Sequence, residues 1–126
     1  MDKKFSTPLA NFEIADGIVY SKYLPHKVNL EQVKEHVRIM KAELPPYAPL
    51  LSIADISDAD RSNEKESRDL LNDAELNSIS KATAVVASSM IARISANLYL
   101  RFAKSSTPIK FFATKEEAVV WLKQLK

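Results

Sequence analysis

The sequence predicts a single α/β domain with a mixed sheet of about five strands and four helices. An antiparallel N-terminal hairpin is followed by alternating helices and strands. Three observations support this class. Two alternating apolar runs flank an Asp-Gly dipeptide, short apolar runs further on are typical of buried strands, and polar-led helical segments separate those runs. We expect residues 1–126 to form one domain, with residues 1–10 as a flexible or loosely attached N-terminal segment.

The hairpin is predicted over residues 11–15 and 18–24. Asp16 and Gly17 lie between these runs, and Asp-Gly is a dipeptide that tolerates the positive φ angles of a type I′ turn. The first two strands of the sheet are therefore expected to be antiparallel neighbours.

The first helix is predicted to begin after Asn29, which forms a capping-box pair with Gln32. It is expected to end near Leu44, because two prolines follow and cannot continue a helix. Its charged face has mixed signs, which is typical of a solvated surface. Its apolar stripe is Val33, Val37, Met40 and Leu44.

The rest of the chain continues the alternation of strands and helices. The predicted elements are a strand within 49–57, a half-exposed helix capped by Asn63 and Glu66, a strand at 82–89, an apolar helix at 90–104, a strand within 107–114, and a final helix capped by Thr114 and Glu117. This order favours a mostly parallel sheet with right-handed crossovers.

Composition narrows the classes of function. The chain has no cysteine, which excludes a disulfide framework, a thiolate zinc site and a cysteine nucleophile. It has one glycine, so glycine-rich phosphate loops are not expected. A formal charge of +2 does not indicate a nucleic-acid surface, and no apolar run reaches the length of a membrane span. We expect a cytoplasmic protein that holds no cofactor or metal.

Three stretches are similar to an uncharacterised bacterial branch of the SpoIIAA-like (STAS) superfamily. They are "LLSIADIS", a strand ending in an aspartate, "ATAVVASSMIARISANLYLRF", a strand with its helix, and "TPIKFFATKEEAVVWLKQL", a proline-led strand with a capped helix. Their order and spacing carry the resemblance from about Phe12 to Leu125. The resemblance implies a SpoIIAA-like fold and a non-catalytic regulatory or protein-interaction function.

The resemblance also implies a candidate regulatory loop. In the anti-sigma-factor antagonists of this superfamily, an Asp-Ser-Ser-Gly motif begins a helix and carries a phosphorylated serine. Here Asn63 stands in place of the glycine, which departs from that motif. The alternative is that the aspartate and serine side chains of this loop cap a helix or bind a hard cation. The candidate loop residues are Asp55, Ser57, Asp58, Asp60 and Ser62.

The predicted helix at 90–104 has a narrow polar stripe and two apolar flanks. One flank is sufficient to cover a sheet, so the other needs a second cover. Three kinds of cover are possible: the protein's own interior, a second copy of the chain in a homodimer, or an apolar ligand. Of the last two, we favour the homodimer. The candidate interface residues on this second flank are Ala92, Ala96, Tyr99, Leu100 and Ala103.

Catalysis is not expected from this sequence. His26 and His36 are interpreted as surface or boundary residues, and no nucleophile with a general base is apparent. The alternative function is a small carrier or sensor of an apolar ligand, because CRAL-TRIO lipid-binding domains resemble this fold in outline. Its cavity would be lined by Tyr99, Phe102, Phe111, Phe112 and Trp121.

Overall fold

The computed structural model describes residues 3–58, 73–87 and 108–125. Its centre is a six-stranded sheet in which the strands follow one another in chain order. The strands are β1 (Lys3–Ser6), β2 (Ala10–Ala15), β3 (Ile18–Tyr23), β4 (Leu50–Asp55), β5 (Ser80–Val86) and β6 (Ile109–Phe112).

The sheet is antiparallel at one end and parallel at the other. Strands β1, β2 and β3 pair antiparallel, whereas β3, β4, β5 and β6 pair parallel. The predicted hairpin is confirmed: Asp16 and Gly17 join β2 to β3 with φ angles of 54° and 77°. Both angles are positive, as a type I′ turn requires.

Three α-helices lie among the residues described: α1 (Leu30–Glu43), α2 (Ala74–Ile79) and α3 (Lys115–Lys123). Asn29 caps α1 with both hydrogen bonds of the predicted capping box, and the helix ends at the expected place with Leu44 as its C-cap. Thr114 caps α3 by accepting a hydrogen bond from the Glu117 amide. No described helix is long and apolar enough to cross a membrane.

The two faces of the sheet carry separate apolar clusters. Residues of α1 pack with one cluster, which includes Phe12 and Val19, while Leu122 of α3 packs with the other, which includes Ile53. Residues paired across neighbouring strands point to the same face, so the alternation of each strand divides its side chains between the two clusters. Helix α3 covers β4, β5 and β6.

The prediction of a loosely attached N-terminal segment is wrong for the part of it that the structure describes. Residues Lys3–Ser6 form β1, which adds a sixth strand to the expected five. The Phe5 ring stacks on Phe12 with ring centroids 4.7 Å apart, and Lys3 forms an ion pair with Glu43 of α1. Stacking and strand pairing fix the segment, and neither follows from its polar-rich composition.

Two of the four predicted helices are not tested: the helix at 90–104 lies outside the described residues, and so do the capping residues Asn63 and Glu66 of the half-exposed helix. The structure adds α2, a six-residue helix that the sequence interpretation did not separate from its neighbours. Asp73 is its N-cap and accepts a hydrogen bond from the Leu76 amide at 3.0 Å. Strand β5 follows at once, two residues earlier than the predicted start at residue 82.

Candidate functional site

An open groove of about 440 Å³ crosses the sheet on the side opposite α1. Its floor is the face of β1 to β4 that α3 leaves uncovered, and the first residue of α3 forms part of its wall. Ten residues line it: Lys4, Asn11, Phe12, Glu13, Tyr20, Ser21, Lys22, Ile53, Asp55 and Lys115.

Strand register brings the polar side chains of the groove together. Glu13 of β2 pairs with Lys4 on one side and Tyr20 on the other, and all three point to the groove face. In the neighbouring row, Lys22 of β3 pairs with Asp55 of β4. The opposite face carries the buried residues of the α1 cluster, so the period of two residues places the charged side chains of these strands on the groove face.

Ion pairs connect several of these charges. The Lys4 ammonium lies 3.4 Å from a Glu13 carboxylate oxygen, and the Lys22 ammonium lies 3.5 Å from Asp58. All four side chains are substantially exposed, so each pair contributes little to stability. Their charges remain available to a ligand.

Tyr20 is the aromatic centre of the groove. The Lys115 ammonium lies 4.2 Å from the centroid of its ring, which is a cation–π distance. Burial, followed by the negative charges of Asp16 and Glu13, raises the pKa of Tyr20 above its ordinary value. The phenol therefore stays protonated at neutral pH and can donate a hydrogen bond.

The described part of the candidate regulatory loop forms a turn at the end of β4. An Asp55 carboxylate oxygen accepts a hydrogen bond from the Ser57 amide at 2.9 Å, and Asp58 faces Lys22 instead of its acidic neighbours. Within residues 3–58, 73–87 and 108–125, no three acidic or histidine side chains form a metal-binding group. Asp60 and Ser62 lie outside the described residues.

His36 corrects the interpretation of the histidines. It is fully buried in α1 on the face away from the groove, between Thr7 and Tyr23. It follows Val33 by three residues, which places the two on one face of the helix. The sequence interpretation missed this position because the polar partner Thr7 lay in a segment expected to be loose.

Hydrogen-bonding groups face both ring nitrogens of His36. The Thr7 hydroxyl oxygen accepts from the amides of Leu9 and Ala10, both at 3.1 Å, and lies 2.7 Å from Nδ1 of His36 and 3.4 Å from the Ala10 carbonyl oxygen. Nε2 of His36 lies 3.4 Å from the Tyr23 hydroxyl. Burial lowers the pKa of His36 to about 4, so it is neutral at physiological pH. His26, in contrast, is exposed as expected.

Three of the aromatic side chains proposed for an apolar cavity are described, and all three are partly buried. Phe112 and Trp121 pack together with ring centroids 5.6 Å apart, and both contact the cluster under α3. Phe111 lies beside Phe112 in β6 and is also partly buried. Tyr99 and Phe102 lie outside the described residues. The same holds for the five candidate interface residues of the helix predicted at 90–104.

Sequence reasoning did not identify the groove. The signal was present in β3, "IVYSKY", where the alternation places Tyr20 and Lys22 on one face. Lys115, by contrast, is close to Tyr20 only through the packing of α3 on the sheet, which no local pattern indicates.

The sheet and its helices define an α/β protein with a SpoIIAA-like fold. The structure is similar to that of an uncharacterised protein of the DUF3478 family with a SpoIIAA-like fold from Shewanella loihica PV-4, with a TM-score of 0.64 and 16% sequence identity. The match covers 97% of this chain and 95% of that one. No curated protein matches the sequence. The chain belongs to the family described as a domain of unknown function (DUF7793), whose model matches residues 12–126.

Proposed function

We propose that the chain is a non-catalytic regulatory domain that acts by binding another protein chain, either a second copy in a homodimer or a different partner. The observation that carries the proposal is the open groove, where charged side chains and one aromatic ring lie on a solvent-facing sheet surface. Aromatic side chains such as Tyr20 are enriched at protein interfaces, and exposed charges at the rim steer association.

The arrangement of titratable groups also favours recognition over catalysis. Proton transfer to a bound substrate requires an acid or base within hydrogen-bond reach of it. His36 lies on the other face of the sheet, and its ring nitrogens face Thr7 and Tyr23. Tyr20, which does line the groove, has its pKa raised and holds its proton at neutral pH.

The homodimer is the form of this function that we test first. Sedimentation of the wild type over a wide concentration range is compared with that of Ala96→Glu and Leu100→Glu, which place a charge on the predicted interface flank. We expect a wild-type dimer and monomeric, folded variants, because a buried unpaired charge opposes association. Exposed Val120→Glu on α3 is the matched control and should remain a dimer.

The outcomes test the homodimer and the more general binding function separately. A wild type that is monomeric at every concentration would contradict the homodimer. A monomer that also enriches no peptide from a random displayed library would contradict the binding function as a whole.

A further inference from the structure

A buried histidine lies where the N-terminal edge of the sheet meets α1. The ring of His36 is excluded from solvent, and three segments cover it: the turn after β1 through Thr7, β2 through Phe12 and β3 through Tyr23. Its ring centroid lies 5.8 Å from that of Phe12 and 5.7 Å from that of Tyr23. An ionisable side chain is thus enclosed by hydroxyls and aromatic rings.

The described groups that hydrogen-bond to His36 carry no charge at neutral pH. The turn presents the Thr7 hydroxyl, and β3 presents the Tyr23 phenol, which is the titratable group facing the ring from the sheet. Lys3 of β1 and Glu43 of α1 form an ion pair at the same junction, but both are partly exposed. A protonated ring would therefore be a buried charge without a counter-ion among the described groups, which is costly.

The segment that opens most easily beside this ring is the one at the edge of the sheet. Phe12 and Tyr23 belong to strands that are paired on both sides. Thr7 instead follows β1, a strand of four residues that, in the described part of the chain, is paired only with β2. Local opening is favoured where few backbone and apolar contacts must be broken.

Thr7 holds the turn and the helix contact together. Its amide donates to the Ala10 carbonyl at 2.9 Å, and its hydroxyl oxygen accepts from the Leu9 and Ala10 amides, both at 3.1 Å. Movement of Thr7 away from α1 breaks these three hydrogen bonds together with the contact to His36. It also admits water to the ring, which can then carry a charge at low cost.

We propose that His36 and Thr7 form an acid-sensitive latch: protonation of His36 releases β1 and its turn from α1 while the rest of the sheet stays folded. Release uncovers the backbone edge of β2 and one side of the Phe12 ring. A sheet edge with unpaired backbone groups is a template for a strand of another chain. Acid would thus convert a closed edge into one that can pair.

Hydrogen exchange of the wild type, followed by NMR and corrected for the intrinsic rate at each pH, tests the latch. The amides of Thr7, Leu9 and Ala10 report opening of the turn. The pKa of His36 is about 4 in the closed state and near 6.5 once the ring is hydrated, so the opening equilibrium should rise about 20-fold from about pH 7 to about pH 5.

Low concentrations of urea distinguish local from global opening. Exchange of the three turn amides should depend little on urea, because local opening exposes little surface, whereas exchange of the β4 and β5 amides should accelerate steeply. If the turn amides share the protection and the urea dependence of β4 and β5, the segment opens only with global unfolding and the latch is refuted. A turn protection that does not change with pH would refute it equally.

Variants identify the titrating group. His36→Gln should reduce the pH-dependent change to less than about twofold. The matched control His26→Gln, at an exposed histidine, should keep the 20-fold change of about the wild-type size, and so should Glu43→Gln, which removes the ion pair with Lys3. A pH dependence that survives in His36→Gln or disappears in Glu43→Gln would assign the effect to another group and overturn the inference. The wild-type series decides without His36→Gln should that variant fail to fold.

Discussion

The Thr7 hydroxyl lies 2.7 Å from Nδ1 of His36, and this contact joins the edge of the sheet to α1. The same hydroxyl oxygen accepts hydrogen bonds from two amides in the turn between β1 and β2. One buried side chain thus stabilises both the turn and the position of the helix. Burial of the ring keeps His36 neutral at physiological pH.

Acidification should destabilise the protein through His36. Its pKa is about 4 in the folded protein, whereas an unfolded chain has a value near 6.5. Between these values the unfolded chain binds the additional proton, so the free energy of unfolding falls as the pH falls. The contribution lost across this window is about 3 kcal/mol. Urea unfolding at a series of pH values measures it.

Two variants isolate this effect from the titration of carboxylates. His36→Gln should have a weaker pH dependence between pH 4 and 6.5 than the wild type. His26→Gln, which changes an exposed histidine, should behave as the wild type does. An NMR titration that places the pKa of His36 near 6.5 would contradict the prediction.

Thr7→Val should destabilise the protein by about 3 kcal/mol, because it leaves two amides and a ring nitrogen without their partner in a buried site. The two side chains have nearly the same shape, so the loss measures hydrogen bonding. Thr7→Ser keeps the hydroxyl and should cost about 1 kcal/mol for the missing methyl group. Equal stabilities of the two variants would show that the hydroxyl contributes nothing. Chemical denaturation provides the measurement.

Local patterns predicted the elements of the fold whose signals are contained in a few residues. Asp16 and Gly17 specified the hairpin turn, and Asn29 with Gln32 specified the start of α1. The groove and the His36 site were not predictable in this way. They depend on contacts between residues far apart in sequence, such as Thr7 with His36.

Leu122→Ala should cost about 3 kcal/mol of unfolding free energy. Leu122 is fully buried in the cluster between α3 and the sheet, so the truncation leaves a cavity that the strands cannot easily fill. Val120 lies on the same helix and is 59% exposed, so Val120→Ala is the matched control and should change stability by less than about 0.5 kcal/mol. Similar losses for the two variants in urea unfolding would contradict the packing of α3 on the sheet.

Strand β1 should contribute to stability through one face of its side chains. Phe5 stacks nearly parallel on Phe12, with an angle of 6° between the rings, so Phe5→Ala should cost about 2 kcal/mol through lost apolar burial and ring contact. Lys4 is its neighbour on the opposite face, where its exposed ion pair with Glu13 is worth little. Lys4→Ala should therefore leave the urea midpoint almost unchanged. A Phe5→Ala variant as stable as Lys4→Ala would mean that β1 is attached by backbone pairing alone. In that case the β2 amides would exchange hydrogen at equal rates in the two variants.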